Sequence, residues 1–149
     1  MLRLAGYVCA LFLIVTGMAL AQETRGTADE AKAMVAKAIA AFDADATAAF
    51  TAITAPNKTF IDRDLYVFVF DKEKLVAHGF DEKLVGTRAE TLVDVQGKKF
   101  GLEFIEKATP EGVWVDYVWR DPISGKEVAK SSWVVAHKDY VFGAGIYKP

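Results

Sequence analysis

Thiols are almost absent: one cysteine, Cys9, stands among 149 residues, and it lies inside an N-terminal apolar run. A chain that loses this run on export keeps no thiol and forms no disulfide. Cys9 is not a lipoprotein cysteine either, since no small-residue lipobox precedes it. Histidine is nearly as scarce. His78 and His137, far apart and without cysteine or a close carboxylate pattern, make a poor metal site, so no metal is expected. Basic charge is also in short supply, with 18 Lys+Arg against 20 Asp+Glu. Removing residues 1–21 takes away Arg3 and leaves 17 against 20, a net charge of −3, which excludes nucleic acid as a partner. Catalytic constellations are missing too. Ser131 and Ser132 lack a nucleophile elbow, and the glycines of GAGIY lack a third glycine and a following helix. No nucleophile with a base, no paired acids and no metal cluster can be assembled. An enzyme is therefore the weakest function class, and no catalytic residue and no cofactor is expected.

What is present begins with MLRLAGYVCALFLIVTGMALAQ: an early cation, an apolar run from Val8 to Val15, and Ala19-Leu20-Ala21 before Gln22. This is the layout of a secretory signal peptide over 1–21, with a periplasmic or secreted product. The rival is an uncleaved N-terminal membrane anchor. Asn57-Lys58-Thr59 fits a glycosylation sequon, which matters only in a eukaryotic secretory pathway. The remaining 128 residues suffice for one self-supporting domain, placed at 27–149.

Thr27-Ala-Asp-Glu30 spells a capping box, and Ala31, Met34, Val35, Ala38, Ile39 and Phe42 follow at helical spacing. Asp45 caps a second, short helix carrying Phe50 and Ile53, which Pro56 and Asn57 end. Asn57 to Asp64 reads as a polar loop. From Leu65 the period changes: LYVFVF, a charged turn at 71–74 and LVAH read as a β-hairpin. Mixed segments lead to a helix carrying Phe100, Phe104, Ile105 and Ala108, stopped by Pro110 and Gly112. VWVDYVW, KSSWVVAH and YVFGAGIY then form a three-stranded meander. In the first of these strands Val115, Tyr117 and Trp119 share one face while Trp114, Asp116 and Val118 share the other, so both sides are covered. The order implies an α+β domain with one antiparallel sheet.

DLYVFVF at 64–70, Ala77-His78, KLVG at 83–86, GKKF at 97–100, GVWVDYVWRDP at 112–122, KSSW at 130–133 and GAGIYK at 143–148 resemble, in this order and spacing, the single Cache domain of type 2. The resemblance implies a five-stranded antiparallel PAS-like sheet. The long N-terminal helix packs on one face, and a small-ligand pocket lies between the other face and short covering helices and loops. It implies an extracellular sensor module of the kind found in chemoreceptors and histidine kinases, many of which bind small organic acids. Gly79 stands where the family often has proline, and the turn at 71–74 lacks the usual glycine; both affect loop geometry alone. No second membrane segment and no output domain is read in the chain, so signalling would need a membrane receptor or kinase in trans.

Within that frame the candidate ligand-binding residues are Lys130, Tyr117, His78, Tyr66, Trp119 and Ser132. Lys130 is read as beginning a strand of Ser, Trp and Val, where a partly enclosed ammonium needs a carboxylate from the protein or from a ligand; a strand-end lysine reaching into solvent is the bland alternative. Tyr117 and Trp119 offer a hydroxyl and an apolar wall, or core packing. Tyr66 carries the same ambiguity. His78 closes a strand where the family pattern borders the pocket, though a structural hydrogen-bond partner explains it equally; His137, near a turn, is expected to be exposed. The expected function is binding of a small carboxylate such as acetate, propionate or pyruvate. The alternative is an interaction module whose pocket is filled by its own aromatics and which forms a homodimer through the N-terminal helix.

Overall fold

The computed structural model describes residues 25–55 and 59–148. The expected signal segment, Cys9, the Pro56-Asn57 helix stop and most of the sequon lie outside them.

Helix α1 spans Ala28–Ala44. Its capping box forms as read: Thr27 accepts from the Glu30 N–H while Glu30 accepts from the Thr27 N–H. Asp45 ends this helix and caps α2, Ala46–Thr54, through the Ala48 N–H. The strands are β1 Ile61–Asp62, β2 Leu65–Phe70, β3 Leu75–His78, β4 Val113–Arg120, β5 Glu127–His137 and β6 Tyr140–Tyr147. Two short 3₁₀ turns, 82–84 and 89–91, and helix α3, Phe100–Lys107, connect β3 to β4. The antiparallel sheet runs β1-β2-β6-β5-β4, with β3 also pairing with β2.

The sheet has six strands where five were expected. The extra one, β1, is a two-residue pairing of Ile61 and Asp62 with Tyr66 and Leu65. Two residues carry no periodicity, so a stretch read as polar loop conceals them. Strand β5 is also longer than KSSWVVAH, beginning at Glu127. Its extension follows from β4, whose Arg120 pairs with Glu127.

The sheet is covered on both sides, as every residue of LYVFVF is buried. On one face Val35, Ala38 and Phe42 of α1 and Ile53 of α2 pack on Leu65, Val67, Val69 and Phe142. On the other, Phe100 and Phe104 of α3 pack on Phe68, Phe70, Val115 and Tyr117. Trp114 and Trp119, five apart on β4, fall on opposite sides as alternation requires. His137 is not simply exposed: it is half-buried, edge-on to Phe42, with Nε2 2.9 Å from Asp43 at the end of α1. Among the described residues no helix is long and apolar enough to cross a membrane.

Candidate functional site

The site lies on the sheet face under α3 and the 79–92 segment. Because β5 starts at Glu127, Lys130 is an interior strand residue and not a strand-end lysine in solvent. Register sets it between Tyr117 on β4 and Tyr147 on β6. It is 1 % exposed. Among the described residues no carboxylate lies within 4.0 Å of its ammonium.

Its polar contact is with a neighbouring phenol. Lys130 Nζ donates to Tyr66 Oη at 2.7 Å and stands 3.9 Å from the Tyr66 ring centre and 4.6 Å from that of Tyr147. Tyr147 Oη donates to the Arg120 carbonyl at 2.7 Å. The 3.0 Å contact between the two phenols therefore runs from Tyr66 as donor to Tyr147 as acceptor. The chain Lys130, Tyr66, Tyr147, Arg120 thus has a fixed direction. Beside it, Tyr117 Oη and Ser132 Oγ are 3.1 Å apart, and Ser132 is fully buried.

His78 is 4 % exposed, and its Nδ1 accepts the Asp81 N–H at 2.8 Å. That bond places the ring proton on Nε2, for which no acceptor stands among the described residues, and the His78 side chain lines the cavity below. Burial above all lowers the His78 pKa to about 3, so the ring is a neutral donor. Burial also pushes Lys130 well below the ordinary lysine value, against the attraction of Asp64 and Asp121. It raises Tyr66 and Tyr117 well above 10, keeping both phenols protonated.

A cavity of about 20 Å³ remains between Tyr66, Phe68, His78, Phe104, Tyr117 and Trp119. This accommodates roughly one water and no organic acid. His78, Leu84 and Trp119 also line an adjoining outer space of about 200 Å³, together with Phe80, Arg120 and Glu127. Phe80 stacks on Tyr66 at 5.5 Å and is 45 % exposed, so it stands between the outer space and the buried phenol.

The fold thus brings Lys130, Tyr117, Tyr66, His78, Trp119 and Ser132 onto one face. Trp119 walls both the inner cavity and the outer space. Sequence reasoning missed Tyr147, although laying KSSW against GAGIY in register would have set it beside Lys130. It also missed Asp64 and Asp121, both 0 % exposed, and Arg25, which binds them. Arg25 grips both Asp121 oxygens at 2.8 Å and reaches Asp64 at 3.2 Å, and Asp64 also accepts the Gly26 N–H at 2.6 Å. No sequence spacing signals that cluster, because its members are up to 96 positions apart.

A family profile, single Cache domain 2, matches residues 8–148. Among solved structures, a methyl-accepting chemotaxis protein from Vibrio parahaemolyticus RIMD 2210633 superposes with a TM-score of 0.68 at 20 % identity, covering 80 % of this chain and 86 % of that one. The periplasmic sensor domain of a chemotaxis protein gives 0.61 at 24 % identity, covering 89 % and 100 %. A Cache chemosensory domain solved to explain carboxylic acid recognition gives 0.60 at 19 % identity, covering 81 % and 88 %. At these identities the likeness is one of fold. No curated protein matches at significance.

Proposed function

We propose that this chain, which belongs to the single Cache domain 2 family, binds a small monocarboxylic acid on the sheet face that carries Lys130. The carrying observation is a fully enclosed amine with no carboxylate in reach among the described residues. An acid lying against Lys130 would supply the missing charge, with His78 Nε2–H and the Tyr117 hydroxyl as neutral donors and Trp119 as an apolar wall. The recognition of carboxylic acids by one structural neighbour supports this reading. The product is read as a periplasmic or secreted sensing component, the domain at 27–149 freed of residues 1–21, with a receptor or kinase in trans as its partner. A ligand gains at most about 1.5 kcal/mol per heavy atom, so acetate reaches about −6 kcal/mol, a Kd of tens of micromolar. That suits sensing better than storage.

The test is calorimetry with acetate, propionate, pyruvate and lactate on the native protein and on Lys130→Met, which keeps the volume. Binding of one acid at micromolar Kd, lost in the variant, is expected. Silence from all four would sink the proposal.

One observation favours a second reading: the inner cavity has room for roughly one water, and the aromatics around it fill the face. In that reading the domain is an interaction module paired with a second copy through α1. It expects a dimer in sizing experiments and no heat with any acid.

A further inference from the structure

We infer that the empty site holds Lys130 as an uncharged amine and that a carboxylate enters together with one proton, so the ligand is taken up as the equivalent of the undissociated acid. This deepens the carboxylate-binding reading and rests on it.

The argument starts from what surrounds the nitrogen on every side. From β2 comes Tyr66, from β3 His78, from β4 Tyr117, from β6 Tyr147 and from β5 itself Ser132. All are neutral groups: burial holds the phenols protonated, and His78 has its Nδ1 occupied by the Asp81 N–H. The negative charges that reach Lys130 are Asp64 and Asp121, from the β1–β2 and β4–β5 turns. Neither is within ion-pair distance, and both are gripped by Arg25. Asp121 also accepts the Ile123 and Ser124 N–H groups and the Ser124 hydroxyl. Asp81, Arg120 and Glu127 line the outer space.

The phenol rings attract a cation, and the aspartates exceed Arg25 by one charge; both favour an ammonium. Against them stands the removal of that charge from water with no anion in contact, and burial is the largest influence on this group. Hydrogen bonding favours the same side. An ammonium carries three donors, and among the described residues a single protein acceptor, Tyr66 Oη, is within reach of Nζ. A neutral amine leaves fewer donors unmet. An arriving carboxylate reverses the balance, because it supplies an anion and acceptors together. The proton is taken from solvent by the amine nitrogen as the ion pair forms; no bond breaks in the ligand.

The stability of the empty protein checks the amine directly. As pH falls through about 10.4 the unfolded chain takes the lysine proton first, so native stability drops relative to Lys130→Met until the lower folded-state value is reached. The gap between native protein and variant, from urea unfolding at pH 6 to 10, is expected to move steadily in the native protein's favour as pH rises. Curves that run parallel would overturn the inference. Calorimetry with acetate at pH 8, in buffers of different ionisation enthalpy, is expected to show uptake of close to one proton, and affinity should fall about tenfold per pH unit above the folded-state value. Binding with no proton uptake refutes the inference while leaving the carboxylate site intact. Absence of binding by acetate, propionate, pyruvate and lactate removes both.

Discussion

Gly145 determines whether Lys130 can lie where it does. It faces Ser132 across β5 and β6, and a methyl group there would collide with Ser132 Oγ and approach Lys130 Cε to 2.8 Å. Gly145→Ala is therefore expected to cost about 1–3 kcal/mol by overpacking and to weaken acid binding by displacing the lysine stem. Urea unfolding and calorimetry on one preparation check both effects. Tyr147→Phe tests the phenol chain. It leaves the Tyr66 proton without its acceptor at a buried position, and about 1–3 kcal/mol of stability should be lost. At this scale the site was only half legible. Lys130, Tyr117 and Ser132 stand out because polar side chains in apolar strands are unusual. Tyr147 does not, because an aromatic at the end of an apolar strand is ordinary until β6 is laid against β5.

Strand β4 ends the sheet, and an open edge invites pairing with another chain. Side chains of the preceding loop blunt it. Asp94 accepts the Val118 N–H at 3.0 Å, and Lys98 donates to the Asp116 carbonyl. The Asp94 carboxyl is held below its ordinary value: burial raises it, but the N–H groups of Val118, Lys98 and Gln96 outweigh burial. Asp94→Ala should lower stability by about 1–3 kcal/mol and promote self-association, seen in denaturant unfolding and size-exclusion chromatography. The elements were more legible than the site. The capping box, the helix over 100–107 and the meander all carry local signals, since hydrophobic period and capping chemistry act within a few residues. The covering segment from 79 to 97 was opaque, because its short 3₁₀ turns bury few residues and have no period to read.

Over the whole molecule, the Arg25 cluster joins the approach to α1, the β1–β2 turn and the β4–β5 turn. Arg25 is about one-third exposed and its two partners are not exposed at all. Removing it strands buried carboxylates, so Arg25→Ala should cost about 2 kcal/mol, below the 3–5 of a fully buried pair because solvent screens the guanidinium. The bond from Arg25, aided by Ser124 and the Ile123 N–H, holds Asp121 far below the ordinary carboxylate range. Its stabilisation is present above the unfolded value near 3.9 and is lost as pH falls toward the folded one. Native protein should therefore lose stability faster than Arg25→Ala as pH drops from about 5 to 2, and thermal unfolding across that window would show the gap narrowing.

The amino-acid order by itself determined the α+β class, the long capped helix and the meander, because each depends on periodicity or capping within one segment; Lys130 was singled out as a polar residue in an apolar strand only together with the family resemblance. Tertiary structure alone decided the two-residue β1, the direction of the phenol chain, the absence of a carboxylate near Lys130 among the described residues and the Arg25 cluster. Those depend on register between strands and on groups tens of residues apart, and the distance and dielectric between such groups exist only once the chain has folded.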